Sequence, residues 1–289
     1  MAVSHRLQSS MYERPDEGIN EPPKRIVFLS VEGDKTENDY FSLINRYRES
    51  IGIQSIVHIE TLSRRDTRSD PKSVLALLDD LFQIYHEGFT PDEVCTYLQN
   101  AGFSVTLEQV QQYFDGILST EEKQNFEMIL RMAEIDVNYQ KFLRDFKGDD
   151  MDDIFAVMID RDSHCHTEEG MKQLIQSCQH KGYYCYITNP CFEFWLLLHV
   201  CDVEQVYYNH LEDIRLNKKV SNKHTYVSKE LSMLAGHNKG IDDEVFKRNY
   251  LSNVDLAIER ARRFETDAFN LLYCIGSNIQ DLFDILRAS

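Results

Sequence analysis

The sequence has no long hydrophobic run, no glycine-rich phosphate loop and no Cys-x-x-Cys pair. The longest apolar candidate, Phe192 to Val200, is interrupted by Glu193 and is far shorter than the roughly twenty residues that cross a bilayer. We therefore expect no membrane span and no membrane partner. The seven cysteines are scattered and odd in number, which favours reduced thiols and a cytoplasmic location over a disulfide framework.

Positive charge is scarce, because 31 Lys and Arg residues stand against 48 Asp and Glu residues and the formal net charge is −17. Overall attraction to nucleic acid is therefore excluded, since neutralising phosphates requires basic side chains along the path of the polymer. The charge is distributed unevenly. Residues 86–153 hold fifteen acidic and five basic side chains, whereas residues 214–229 hold five basic side chains and no acidic one. We expect the second segment to supply the local positive surface that nucleic acid needs.

Short apolar runs alternate with amphipathic segments, which predicts an α/β fold with a parallel sheet flanked by helices. The runs at 26–31, 55–62, 154–159 and 183–187 are too short for core helices and are rich in β-branched and aromatic residues, which indicates buried strands.

The pattern divides the chain into three parts. We interpret residues 1–24 as a flexible tail, residues 25–200 as the core, and residues 201–289 as a mostly helical region with a basic segment. Residues 88–147 carry helix start signals at Thr90 and Ser119 and no strand-like run, so we interpret them as an inserted helical module. Two final helices are predicted at 254–274 and 279–286.

Acidic turns directly follow two of the predicted strands. Glu32 and Glu37 follow the first strand, and Asp160-Arg161-Asp162 follows the third. Because ligands of parallel α/β sheets gather at the carboxyl ends of the strands, we expect these carboxylates to converge. Asp160 and Asp162 lie two residues apart and face the same side of an extended segment.

Converging carboxylates repel each other and raise each other's pKa unless cations or protons reach them. Oxygen ligands favour Mg²⁺ or Mn²⁺, and such ions support phosphodiester chemistry. Considered alone, each acidic turn is as typical of a solvated loop as of a metal site. Glu32 and Glu37 are also typical of the acidic first turn of a helix.

Three segments resemble the RloB-like family, whose fold is of the Toprim type. They are VEGDKTENDYF at residues 31–41, DRDSH at residues 160–164 and NPCFEFWLLLH at residues 189–199. The motifs occur in order and the resemblance covers about residues 25–200. The long helical stretch at 88–147 exceeds what a minimal Toprim core needs.

The resemblance implies an endonuclease that uses Mg²⁺ or Mn²⁺ to hydrolyse phosphodiester bonds of DNA or RNA. It implies an effector of bacterial anti-phage defence with a partner ABC-type ATPase. By the same implication Glu32, Asp160 and Asp162 are catalytic, and these three together with Glu37 are the metal ligands. A non-catalytic adaptor subunit of a defence complex remains the alternative, and a homo-oligomer is compatible with either.

Four further side chains are candidates for supporting the chemistry or binding the substrate, namely Glu193, His164, Lys223 and Lys229. Glu193 lies one turn into an apolar helix and is either an acid favoured by the helix dipole or an outer ligand of the site. His164 is either a surface residue or an acid for the leaving group. With Cys165 and His166 it also invites a zinc interpretation, although no second pair has suitable spacing.

The basic segment and the start of the last apolar helix carry two more predictions. Lys223 and Lys229 are the cations we expect to reach a phosphate backbone. Asn189 is predicted to cap the helix that follows it.

Overall fold

The computed structural model describes residues 25–33, 35–54, 57–62, 70–87, 90–133, 153–162, 166–236 and 240–288. Its strands are β1 Arg25–Val31, β2 Val57–Leu62, β3 Ile154–Asp160, β4 Tyr184–Asn189 and β5 Gly276–Ser277. Its α-helices are α1 Thr36–Arg46, α2 Pro71–Glu87, α3 Pro91–Asn100, α4 Leu107–Phe114, α5 Thr120–Met132, α6 Glu168–Lys181, α7 Phe192–Val200, α8 Val203–Val206, α9 Leu211–Leu216, α10 Tyr226–Ala235, α11 Asp243–Asn249, α12 Val254–Ala261 and α13 Ile279–Arg287. The predicted α/β fold is confirmed.

The sheet has the strand order β2-β1-β3-β4-β5. β1 to β4 are parallel to their neighbours, whereas β5 runs antiparallel to β4. Val31 of β1 pairs with Met158 of β3, and Asp160 of β3 pairs with Thr188 of β4. The carboxyl ends of these three strands therefore lie side by side at one edge of the sheet.

The prediction of one helix over residues 254–274 is wrong, because α12 ends at Ala261. The chain then returns to the sheet, where the Glu265 amide donates to the Ile275 carbonyl over 3.3 Å and the Ser277 amide donates to the Glu265 carbonyl over 3.2 Å. Gly276 is required there, since a β-carbon on it would lie 2.1 Å from the Glu265 carbonyl oxygen. Gly276 and Ser277 also pair with Asn189 and Thr188 of β4, and this pairing forms the short strand β5, which the sequence pattern did not indicate.

One hydrophobic core joins the sheet to the C-terminal region, with members from Val27 to Leu286. α7 lies at its centre, and its only partly exposed positions are Glu193 and Val200. A helix that is apolar on all sides has to be covered on all sides, which explains why elements beyond residue 200 pack against it. Among the described residues, the helices are all too short or too polar to cross a membrane.

Contacts divide the described chain into two compact units, one made of residues 79–87 and 90–133 and the other of the remaining described residues. In the first unit, the predicted start signals form capping boxes. The Thr90 hydroxyl accepts from the Glu93 amide over 3.3 Å while Glu93 accepts from the Thr90 amide over 2.9 Å. Ser119 and Glu122 are related in the same way. α3, α4 and α5 bury a small core of their own around Leu98, Val110 and Phe126.

Candidate metal centre

Glu32 and Asp160 lie next to each other at the carboxyl edge of the sheet. The Glu32 amide continues the β1–β3 ladder by donating to the Met158 carbonyl over 3.1 Å. The Glu32 side chain then turns back to β3, where its Oε2 accepts from the Asp160 amide over 3.0 Å. The parallel register thus brings the ends of the first and third strands together, as the sequence predicts.

The second oxygen of Glu32 contacts His166. Nε2 of His166 lies 3.1 Å from Oε1 of Glu32, and because a carboxylate can only accept, the imidazole carries the proton on Nε2. The His166 side chain is 2% exposed and the Glu32 side chain 16% exposed. Nδ1 of His166 makes no hydrogen bond to the described part of the chain. Glu32 is therefore held by one donor on each oxygen.

Glu37 is buried in the first turn of α1 and faces the same edge. Gly33 is packed against its carboxylate so closely that a β-carbon on Gly33 would lie 2.2 Å from Oε2. Burial raises the pKa of Glu37 to about 7, and the charges of Glu193 and Glu32 contribute in the same direction. Glu37 is thus partly protonated at neutral pH.

Asp160 experiences the same environment. Burial raises its pKa well above the ordinary value, and the charges of Glu32, Glu37 and Glu193 raise it further. The backbone N–H of Phe192, at the start of α7, hydrogen-bonds the Asp160 carboxyl group and partly opposes this increase. Four acids, Glu32, Glu37, Asp160 and Glu193, therefore lie within electrostatic reach of one another, and we call them the acidic cluster.

Asp162, predicted as a metal ligand, lies two residues beyond Asp160, in the loop that follows β3. Its backbone carbonyl accepts from the His166 amide over 2.8 Å. His164 lies outside the described residues. Within the described ranges, no three His, Cys, Asp or Glu side chains form a group spaced to hold a metal ion.

Arg161 holds the loop after β3 in place. Its side chain is buried, although arginine side chains are mostly exposed. Its Nε donates to the Leu272 carbonyl over 3.0 Å, and its Nη1 donates to the His166 carbonyl over 3.1 Å. Sequence reasoning considered His166 only for zinc and missed its contact with Glu32. No local pattern indicates this contact, because Glu32 and His166 are 134 residues apart in the sequence.

Asn189 does not cap α7, so that prediction is wrong. Its Nδ2 donates to the Leu271 carbonyl over 2.7 Å, and Cys191 takes the cap position without a side-chain hydrogen bond. The physical reason is that the 3-10 turn Asn270–Leu272 packs beside β4, which brings the Leu271 carbonyl within reach of the Asn189 side chain. Glu193 lies in the first turn of α7 and is half-buried.

The two predicted substrate-binding lysines lie in different environments. Lys223 is exposed in the loop before α10. Lys229 lies on α10, where its ammonium is 3.9 Å from Oε1 of Glu230. Their roles stay predictions.

A comparison of the sequence with models of protein families finds a match over most of the chain. The model of the RloB-like protein family matches residues 27–286. The chain belongs to the RloB-like protein family. The match extends the resemblance beyond residue 200, so the RloB-like region includes the basic segment as well as the acidic cluster. Searches of curated proteins and of solved structures find no match to this RloB-like protein.

Proposed function

We propose that this RloB-like protein is a nuclease that uses Mg²⁺ or Mn²⁺ to hydrolyse phosphodiester bonds of DNA or RNA. The acidic cluster carries the proposal, because Glu32 and Asp160 meet at the carboxyl ends of β1 and β3, and the charges of Glu32, Glu37 and Glu193 all act on Asp160. Burial raises the pKa values of Glu37 and Asp160, and the neighbouring acids raise them further. Clustered acids with perturbed pKa values at a sheet edge are typical of functional sites.

The donors of the cluster fit a hard divalent cation. All of them are carboxylate oxygens, which suit Mg²⁺ and Mn²⁺ better than zinc. Glu32, Glu37 and Asp160 would hold the ion, with Asp162 as the fourth ligand that the family resemblance implies and Glu193 beside them. When bound, the ion would supply positive charge next to a phosphate and make water a better nucleophile.

The protein's own groups have separate tasks in this proposal. The Asp160 amide and His166 orient the Glu32 carboxylate. Because the pKa of Glu37 is raised to about 7, binding of the ion near neutral pH would displace a proton from its carboxyl group. Lys223 and Lys229 would contact the substrate phosphates.

The biological setting of the proposal rests on the family resemblance. RloB-like motifs in a Toprim-type fold imply an effector of bacterial anti-phage defence that works with an ABC-type ATPase. We include both as part of the proposed function.

A non-catalytic adaptor is the second candidate, and one observation favours it. No metal-ligand group is already assembled among the described residues. A non-catalytic adaptor whose acidic cluster binds no metal ion would have the same backbone structure as a nuclease.

Cleavage assays separate the two candidates. Plasmid, single-stranded DNA and transfer RNA are incubated with the protein and Mg²⁺ or Mn²⁺, with and without the partner ATPase. We expect metal-dependent cutting that Glu32→Gln and Asp160→Asn each reduce by about 100-fold or more, as for groups that act directly on the reaction. Absence of cutting under every condition, from folded protein, would favour the adaptor.

A further inference from the structure

The basic loop, residues 217–225, connects α9 to α10 and concentrates exposed positive charge. Lys218, Lys219 and Lys223 are exposed, and the loop contains no acidic residue. In a chain with a net charge of −17, such a stretch is a local exception.

The loop is held in a defined shape by its own backbone. The amides of Val220 and Ser221 donate to the His224 carbonyl over 2.9 and 3.1 Å, and Lys219 forms an isolated bridge with Thr225. The Tyr226 amide closes the base by donating to the Lys218 carbonyl over 2.9 Å. An ordered loop binds with a smaller loss of conformational entropy than a free one.

Asn217 attaches this loop to the acidic cluster. Its Nδ2 donates to Sγ of Cys191 over 3.4 Å, and its Oδ1 accepts from the Val227 amide over 2.9 Å. One side chain therefore joins the start of α7 to the start of α10. Glu193 follows Cys191 by two residues. Burial raises the pKa of the Cys191 thiol, and the charges of Glu193 and Asp160 raise it further. The base of the loop lies beside the cluster.

The lysines of the loop differ from the other cations of the basic segment. Arg215 forms an ion pair with Glu212, and Lys229 lies near Glu230. Lys219 and Lys223 have no carboxylate within 4.0 Å in the part of the chain that the structure describes. Their charges are available to an external anion.

We propose that the basic loop binds the phosphodiester backbone of the nucleic acid substrate through Lys219 and Lys223, and that Asn217 positions this loop at the acidic cluster. The inference rests on the proposed function, and it deepens it by naming where the substrate is held. A polyanion is attracted to these lysines, whereas the net charge of −17 opposes its binding to the protein in general.

Binding without cleavage tests the lysines. Fluorescence anisotropy is measured in EDTA with labelled single-stranded DNA and, separately, RNA of the same sequence. We expect Lys219→Gln/Lys223→Gln to weaken binding on the order of tenfold at low salt, and to reduce the slope of log affinity against log salt by about 1.4, since each phosphate contact on a single strand contributes about 0.7. The matched control is Lys172→Gln/Lys247→Gln, which removes two lysines that are paired with Glu168 and Asp243.

The control double variant should bind like the parent. Equal affinity and equal salt slope for the parent and the Lys219/Lys223 variant would overturn the inference, as would a parent that binds neither oligonucleotide. Binding that depends on these lysines in a protein that cuts nothing would leave the inference standing and remove the proposed function. Cleavage that is equal in the parent and in the Lys219→Gln/Lys223→Gln variant would leave the proposed function standing and overturn the inference.

Asn217→Gly tests the attachment. Asn217 has a φ of 41°, a left-handed conformation that glycine adopts without strain, so this substitution removes both hydrogen bonds and keeps the backbone. We expect oligonucleotide affinity to stay within about threefold of the parent while kcat falls by about tenfold or more, since misplacing a bound substrate slows the reaction. A parent-like kcat in Asn217→Gly would contradict the positioning role.

Discussion

At the residue scale, the clearest consequence concerns Glu37. Its pKa is raised from 4.5 to about 7, first by burial and then by Glu193 and Glu32. The folded protein therefore binds more protons than the unfolded chain between these values, so stability falls as pH rises from about 4.5 through about 7. The shift in the pKa of Glu37 corresponds to a loss on the order of 3 kcal/mol in the free energy of unfolding.

Urea unfolding in EDTA at about pH 5 and about pH 8 measures this loss together with the loss that the raised pKa of Asp160 causes, and Glu37→Gln should remove the part due to Glu37. Glu169→Gln, an exposed acid on α6, serves as the control and should keep the pH dependence of the parent. A Glu37→Gln variant whose unfolding free energy changes with pH as much as that of the parent would contradict the account of Glu37.

His166 carries a second prediction at this scale. Removing the imidazole in His166→Ala leaves Oε1 of Glu32 without its donor, and loss of such orienting partners typically lowers metal affinity by about 10- to 100-fold. His166→Gln keeps an N–H that can reach Glu32 and should recover part of the affinity. Manganese titration at fixed pH checks both variants. Equal affinities for His166→Ala and the parent would show that His166 does not orient Glu32.

At the scale of elements, the helices with capping signals follow local rules. Thr90→Ala removes the acceptor for the Glu93 amide at the start of α3, and we expect a loss of about 1 kcal/mol confined to the first unit. Hydrogen exchange of the α3 amides measures it. Thr96→Ala on the exposed face of the same helix is the matched control and should leave protection unchanged. If Thr90→Ala and Thr96→Ala reduced the protection of the α3 amides equally, the result would contradict a stabilising role of the Thr90 cap.

The strands could be predicted closely because their signal is local. The runs at 26–31 and 154–159 became β1 and β3 with one added residue each, since β-branched and aromatic residues in a buried run leave little choice. β5 could not be predicted. It has two residues and exists only because Glu265 and β4 offer it backbone partners.

The site shows the same division between local and distant information. Glu32 and Asp160 were predicted from their places after strands, and parallel pairing explains why they meet. The contact from His166 to Glu32 spans 134 residues and that from Asn217 to Cys191 spans 26, so no local pattern indicates either.

At the scale of the whole molecule, the core explains why the RloB-like match runs through the C-terminal region. α7 begins at the acidic cluster and is buried under α10 and α12, whose inward residues Val227, Leu231 and Ala257 belong to the same core. The acidic cluster and the basic loop therefore belong to one packed unit.

Calorimetric titration with Mn²⁺ tests the central claim, that the acidic cluster binds a divalent metal, most directly. The parent protein should bind Mn²⁺ with release of protons near neutral pH, because the ion displaces protons from carboxyl groups whose pKa values are raised. Asp160→Asn should weaken binding by at least about tenfold, while Asp284→Asn, an exposed acid paired with Arg262, should not. Equal Mn²⁺ affinity in the parent and in Asp160→Asn would contradict the account.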